Sequence, residues 1–135
     1  GADLARKFNL PSPIIDFILT HHGTGVAYFF YKKFLDRNPQ KTNLENEFTY
    51  PGPKPSTRET AIVMMADAVE AASRTLSAYS EENISELVER IIYIQEQDRQ
   101  YADTPLTFRD ITDIKSVFVK RLSNIYHARI SYPGR

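Results

Sequence analysis

The stretch STRETAIVMMADAVEAASR, residues 56–74, carries the clearest helix signal in the chain. It opens on Ser56, Thr57, Arg58 and Glu59, the pattern of a capping box, in which a hydroxyl side chain and a later carboxylate satisfy the free amides of a helix start. Small residues then alternate with Met, Ile and Val, so that neighbouring helices can approach closely. The pattern predicts a long helix from this box to about Ala78.

Further helix signals lie on both sides of this stretch. Ser12-Pro13 predicts a start with Ser12 as N-cap, and the apolar run that follows ends at Gly23. An aromatic helix is predicted over residues 25–35, and its five aromatic side chains between residues 28 and 34 are expected to be core residues rather than a base-stacking surface. Ser80 and Thr107 each begin another segment with apolar residues at helical spacing. The tail from His127 is predicted to be irregular.

The remaining segments favour loops rather than strands. Residues 36–56 contain Asn38-Pro39 and the proline-rich YPGPKPS, which predicts a long and partly stiff connection. No pair of segments alternates in the way that a strand pair requires. The prediction is therefore an all-α bundle of about five helices, forming a single domain over residues 1–135.

Composition excludes several classes of function. The chain has 135 residues with 17 Lys and Arg against 17 Asp and Glu, so its formal net charge is zero. This balance gives no support to a nucleic-acid polymer as partner, because such binding depends on excess positive charge. Cysteine is absent, which excludes disulfides and thiolate zinc sites. The apolar runs are far shorter than the about 20 residues of a transmembrane helix.

Two adjacent histidines stand out as candidate metal ligands in FILTHHGTG, residues 17–25. Neighbouring residues on a helix point about 100° apart, so one helix can aim His21 and His22 at one ion only if its last turn unwinds. Gly23 directly after them allows that, and the two histidines could also bind two different ions. The alternative is that one ring faces solvent while the other caps carbonyls at the helix end.

Asp67 is the third candidate ligand, because it lies among Met, Ala and Val. A carboxylate in such surroundings is expected either to be buried with a partner or to belong to a site. The alternative is a solvated Asp67 beside a surface pair of Glu70 and Arg74. Imidazole and carboxylate donors together favour Zn, Mn or Fe over Ca or Mg.

Lys54 and Arg58 flank the start of the helix that opens at Ser56. Free amide groups at a helix N-terminus attract anions, so these two side chains are candidate phosphate contacts. The alternative is a proline-stiffened connector with solvated basic residues.

Several segments resemble successive parts of one family, the membrane-anchored HD-domain phosphodiesterases of the PgpH type, which hydrolyse cyclic di-AMP. The segments are LPSPIIDFILTHHGTG (10–25), YFFYKKF (28–34), YPGPKPSTRETAIVMMADAVEAASR (50–74) and LTFRDITDIKSVFVKRLSNIYHARISYP (106–133). The resemblance implies an HD-domain helical bundle with two divalent transition-metal ions, Mn or Fe. It assigns metal-ligand roles to His21, His22 and Asp67, and implies hydrolysis of cyclic di-AMP to linear pApA, a role in nucleotide signalling.

The chain departs from that family in one respect, since it contains no His-Asp dipeptide. In the family, this pair and other ligands precede the segment that corresponds to Gly1. We therefore expect the C-terminal half of an HD domain, truncated on its N-terminal side, with an incomplete metal site and no activity alone. We also expect self-association through the helices that begin at Ser12 and Ser56.

The resemblance also implies a setting and leaves alternatives open. The parent protein would be anchored in the bacterial inner membrane by upstream helices, with this domain on the cytoplasmic side. The alternatives are an HD hydrolase of another nucleotide or phosphoester, and a nucleotide-sensing receptor domain with weak or no catalysis.

Overall fold

The computed structural model of the chain describes residues 1–41 and 44–130. Within these ranges the chain forms six α-helices, a short 3-10 helix at Glu45–Phe48, and no strand beyond an isolated bridge between Val26 and Thr49. The α-helices are α1 (Ala2–Lys7), α2 (Ser12–Thr20), α3 (Tyr28–Arg37), α4 (Arg58–Ser73), α5 (Glu81–Gln97) and α6 (Phe108–Ile130). The all-α prediction is confirmed, with α1 as an additional short helix.

The hydrophobic core lies between α4, α5 and α6. Ile84, Val88 and Ile92 follow one another at intervals of one helical turn along α5 and are fully buried. They pack with side chains from the two neighbouring helices, which are Met65, Val69, Leu122 and Tyr126. α2 also packs against α4, and α1 packs against α2. α4 therefore contacts both the other two core helices and the N-terminal pair of α1 and α2.

The boundaries of α4 differ from the prediction at both ends. Thr57 rather than Ser56 is the N-cap, because its side chain accepts from the Thr60 amide at 3.1 Å while the Thr57 amide donates to the Thr60 hydroxyl at 3.2 Å. The helix ends at Ser73 instead of Ala78. There the Ser73 hydroxyl donates to the Glu70 carbonyl at 2.6 Å. This hydroxyl competes with backbone amides for the carbonyl, which is why hydroxyl side chains are favoured at helix ends.

The first two predicted helices are also shifted. Ser12 is the first helical residue rather than the cap, and Pro11 precedes it. α3 starts at Tyr28 instead of residue 25, because Gly25 and Ala27 bond instead to Tyr50, which follows the 3-10 helix, and to Phe48, its last residue. The Tyr50 amide donates to the Gly25 carbonyl at 2.9 Å, and the Ala27 amide donates to the Phe48 carbonyl at 2.7 Å.

The two remaining predicted starts are confirmed. Ser80 caps α5 through the Asn83 amide, at 3.2 Å. At α6 the Thr107 amide donates to the Asp110 carboxylate and the Asp110 amide to the Thr107 hydroxyl, both at 3.0 Å. The backbone hydrogen bond from Thr107 holds the pKa of Asp110 below its usual value.

The predicted irregular tail is wrong for its first residues. α6 continues through His127 to Ile130, and the rest of that predicted tail lies outside the described residues.

The aromatic segment of α3 is only partly in the core. Tyr31 is buried, whereas Tyr28 and Phe30 are exposed, contrary to the expectation that these aromatics are core residues. The reason is that α3 packs only against the 3-10 helix among the described elements, which covers one of its sides.

None of the described helices is both long enough and apolar enough to span a membrane.

Candidate metal-binding site at the His21-His22 turn

The two histidines lie where α2 ends and the chain turns. His21 is the C-cap of α2 and keeps helical backbone angles, while Gly23 adopts a left-handed conformation with φ of +54°. The ring centroids of His21 and His22 are 3.9 Å apart. The turn therefore brings together two rings that a continuous helix would point apart.

His21 is oriented by the backbone of α2. Its Nδ1 lies 2.6 Å from the carbonyl oxygen of Ile18. Because a carbonyl can only accept, Nδ1 carries the proton, and the lone pair of a neutral ring is then on Nε2. Metal-bound histidines are commonly oriented in this way by a hydrogen bond from their second nitrogen.

His22 lies between an acidic residue and an aromatic ring. Its Nδ1 is 3.3 Å from Oδ2 of Asp67, and the ring of Tyr50 stacks on it at 4.2 Å and 21°. Partial burial lowers the pKa of His22, the neighbouring His21 lowers it further, and Asp67 opposes both. A lowered pKa favours the neutral imidazole, which is the form that binds metals.

Asp67 is neither buried nor unpaired. Its side chain is 45% exposed and that of His22 is 38% exposed, so both are accessible to an ion or a substrate. The surface pair predicted on the same helix is present beside it, with Arg74 binding both carboxylate oxygens of Glu70 at 3.0 and 2.7 Å. The carboxylate of Asp67 is thus directed to the histidine turn.

The two predicted phosphate contacts differ in their surroundings. Arg58 is the first residue of α4, and its Nε lies 3.5 Å from Oδ2 of Asp110, so its charge is partly neutralised. Lys54 is half-buried, and no carboxylate within residues 1–41 or 44–130 lies at ion-pair distance from it. Their roles toward phosphate stay predictions.

The donor chemistry fits a transition-metal ion, but the set of donors is partial. His21, His22 and Asp67 lie together and offer two imidazoles and a carboxylate, which suit Mn, Fe or Zn. Among the side chains that the structure describes, no group of three or more His, Cys, Asp or Glu is placed to hold an ion. An ion held by His21, His22 or Asp67 would therefore need further ligands from elsewhere.

Two residues of this region were not singled out by the sequence. Tyr50 is the first residue of the YPGPKP segment, which is one of the segments that resemble the family. That resemblance could have drawn attention to Tyr50. Gln100 lies beyond the end of α5, yet its side-chain oxygen accepts from the Thr24 amide at 2.9 Å. A contact between residues 76 positions apart leaves no local pattern, so nothing in the sequence pointed to it.

Comparison with known proteins identifies relatives for nearly the whole chain. The cyclic-di-AMP phosphodiesterase PgpH of Bacillus subtilis is 41% identical over 133 residues, which is 98% of this chain and 18% of that protein. The protein of the same name from Listeria monocytogenes is 38% identical over 133 residues, with the same coverage. The chain thus spans about a fifth of the length of these relatives. No protein-family model matches it.

Solved structures show the same relationship. The crystal structure of the L. monocytogenes phosphodiesterase PgpH HD domain in complex with cyclic-di-AMP aligns with a TM-score of 0.85 and 36% identity. It covers 93% of this chain and 58% of the crystallised one. A second structure of the same HD domain aligns with a TM-score of 0.83 and 35% identity, with the same coverage. Sequence and fold together show that the chain is a homologue of the PgpH-type HD domain and spans part of it.

Proposed function

We propose that this chain is part of a metal-dependent phosphodiesterase domain that hydrolyses cyclic di-AMP. The observation that carries the proposal is the cluster of His21, His22 and Asp67, in a chain that aligns with an HD domain crystallised with cyclic-di-AMP. His22 contacts Asp67 and lies beside His21, none of the three side chains is buried, and their imidazole and carboxylate groups are of the right donor type.

Each of the three residues has a distinct part in holding the ions. The Ile18 carbonyl keeps the proton of His21 on Nδ1 and leaves Nε2 available. His22 and Asp67 face one another at 3.3 Å. They could both bind the same ion, or one of them could bind the ion while the other orients it by a hydrogen bond to that ligand. When bound, two divalent ions, Mn or Fe, supply an activated water and neutralise charge at the phosphate. Hydrolysis of one phosphodiester bond would then yield linear pApA.

The remaining ligands are proposed to come from residues outside these 135. The chain covers 58% of the crystallised HD domain, and among its described side chains no group of three or more His, Cys, Asp or Glu could hold an ion without further ligands. We therefore expect the parent protein to hydrolyse cyclic di-AMP with Mn²⁺, and residues 1–135 alone to show no measurable turnover. Turnover by the isolated chain at the rate of the parent would contradict this division of the site.

The same assay separates this proposal from its alternatives. The parent protein is offered cyclic di-AMP, cyclic di-GMP and a generic phosphoester, and both binding and turnover are measured. Preferred turnover of another substrate would indicate a different HD hydrolase. Tight binding of cyclic di-AMP without turnover would indicate a receptor.

Lys54 is the proposed phosphate contact of the two basic candidates. Its ammonium group lacks a carboxylate partner in the described part of the chain, whereas Arg58 is paired with Asp110. Lys54→Ala in the parent is expected to raise KM with little change in kcat, and Arg58→Ala to have the weaker effect on KM. The reverse order would assign the phosphate contact to Arg58.

The proposed setting is the bacterial inner membrane, with helices outside these residues as anchor and the domain on the cytoplasmic side. Fractionation of cells and protease accessibility from either side test this placement. Digestion of the domain from outside intact cells would contradict it.

The isolated chain is proposed to self-associate. Five apolar side chains on α1, α2, α4 and the α1–α2 connection are 39% to 67% exposed. They are Leu4, Phe8, Leu10, Ile14 and Val63. Exposed apolar patches on soluble domains mark interaction sites. Sedimentation at micromolar concentration should show dimers or larger species, and Phe8→Lys should reduce them. A stable monomer would contradict the proposal.

A further inference from the structure

Gln100 is placed by the backbone geometry at the end of α5. The Gln100 amide donates to the Gln95 carbonyl and the Arg99 amide to the Glu96 carbonyl, both at 2.9 Å. Arg99 is left-handed, with φ of +55°. This pair of bonds around a left-handed residue is the Schellman motif, which ends a helix and fixes the direction of the next residue. Gln100 is thereby turned away from solvent and is 3% exposed.

The side-chain amide of Gln100 is fully engaged with the residue after Gly23. Its Oε1 accepts from the Thr24 amide at 2.9 Å, and its Nε2 donates to the Thr24 hydroxyl at 3.0 Å and to the Asp98 carbonyl at 3.1 Å. Both donors and the acceptor are therefore satisfied. A buried amide satisfied in this way holds one geometry, because any rotation would leave polar atoms unpaired.

Gly23 packs directly on this amide. A Cβ on Gly23 would collide with Oε1 of Gln100 and lie 3.0 Å from Sδ of Met64. Together with the positive φ, this contact explains why a glycine follows the two histidines. The Gln100 side chain thus touches the chain immediately after His22.

The turn is held from the YPGPKP loop as well. The Tyr50 amide donates to the Gly25 carbonyl at 2.9 Å, and a Cβ on Gly52 would lie 2.9 Å from the Thr24 methyl group. The turn's own backbone bonds are few, chiefly from Gly23 to Thr20 at 2.8 Å. Its shape therefore depends on two distant segments, and the Gln100 side chain binds its backbone at Thr24.

We propose that Gln100 is a positioning residue for the metal site: it fixes the backbone of residues 22–24, and so the placement of the His21 and His22 rings relative to Asp67. It would act through the turn, by its contacts with Gly23 and Thr24, rather than as a ligand of an ion or a substrate. The inference rests on the proposed function, because it assigns Gln100 a part in that same site.

The test is Gln100→Met in the parent protein, with Gln95→Met as the matched control. Methionine has a similar length but cannot make the amide bonds. Gln95 lies on the same end of α5, and its side chain accepts from the Tyr101 hydroxyl at 2.6 Å instead of binding Thr24. We expect Gln100→Met to lower Mn²⁺ affinity or kcat about 10- to 100-fold with little change in KM, as for other residues that orient metal ligands. Gln95→Met should retain both.

Two spectroscopic readouts are independent of activity. In Gln100→Met the Thr24 amide should exchange with solvent faster and the imidazole ¹⁵N signals of His21 and His22 should shift, whereas Gln95→Met should leave both unchanged. Should Gln100→Met fail to fold, Thr24→Val removes the hydroxyl that contacts the Gln100 side-chain amide but keeps the Thr24 backbone amide, and it should produce the same changes to a smaller degree.

The outcomes separate the two proposals. Unchanged metal affinity, kcat and histidine signals in Gln100→Met, or equal losses in Gln95→Met, would overturn the role of Gln100. A parent protein that does not hydrolyse cyclic di-AMP would instead overturn the proposed function, while the spectra and Mn²⁺ titration would still decide on Gln100.

Discussion

The three-helix core and the histidine turn differ in what holds them together. In the core of α4, α5 and α6, apolar side chains such as Met65 and Ile92 are fully buried and make no use of polar contacts. At the turn, His22 and Asp67 are more than a third exposed, and the backbone is held by hydrogen bonds from distant segments. The core thus supplies stability, and the turn presents the donors.

α4 belongs to both regions. Met65 and Val69 are one turn apart and face the core, while Asp67 lies between them in sequence and so points to the opposite side of the helix. The same helix therefore anchors a carboxylate at the turn without placing its charge in the core. Substitutions on the core face should lower the free energy of unfolding, whereas substitution of Asp67 on the opposite face should lower activity.

The largest loss of stability is expected for Ile92→Ala. Ile92 is fully buried, and truncation of such a side chain leaves a cavity that costs about 2–5 kcal/mol of unfolding free energy. Urea unfolding measures the loss. Its control is Tyr93→Ala at a neighbouring exposed position, and equal losses for the two variants would contradict the assignment of the core.

A smaller loss is expected for Ser73→Ala. The Ser73 hydroxyl donates to the Glu70 carbonyl, so it accepts from the Tyr126 hydroxyl at 2.8 Å inside the core. Removing this acceptor should cost about 1–3 kcal/mol. Tyr126→Phe removes the donor instead and leaves the bond to Glu70 intact, so its effect isolates the buried pair. No loss in either variant would show that the bond does not contribute.

Removal of the N-cap of α4 should cause the next smaller loss of unfolding free energy. Thr57→Ala should lower the free energy of unfolding by about 1 kcal/mol, because it removes the bond to the Thr60 amide. Ser56→Ala should leave thermal unfolding unchanged. The opposite result would place the cap at Ser56, as the sequence pattern predicts.

The surface pair of Glu70 and Arg74 should have the smallest effect. Arg74→Ala is expected to give an unfolding curve that barely differs from that of the unchanged chain, with any difference disappearing at high salt. A loss as large as that of the cap variant would mean that this pair supports the turn beside it.

Much of the fold could be predicted from local signals. The caps at Ser80 and Thr107 are determined by residues within one turn, and the sequence indicated both. The predicted end of α4, at Ala78, lies beyond the observed end at Ser73. The bond from the Ser73 hydroxyl to the Glu70 carbonyl contributes to this end, and the spacing of apolar residues does not reveal it. α1 was missed since it is only a short helix without an apolar stripe of its own.

The site was predictable only in part, for a similar reason. The predicted ligand roles of His21, His22 and Asp67 rest on a resemblance rather than on spacing. The closeness of His22 to Asp67 is a property of the packing between α2 and α4. Gln100 could not be found at all, because its contact with Thr24 joins segments with no shared pattern. The exposure of Tyr28 and Phe30 depends on how few elements contact α3.

The most direct test of the account is Asp67→Ala in the parent protein, measured for cyclic di-AMP hydrolysis and for unfolding together. We predict that hydrolysis is abolished while the free energy of unfolding falls far less than in Ile92→Ala. Glu70→Ala, three residues along the same helix, should keep full activity. Unchanged kinetics for Asp67→Ala would contradict its role as a metal ligand, and with it the central claim that the histidine turn and α4 form the metal site.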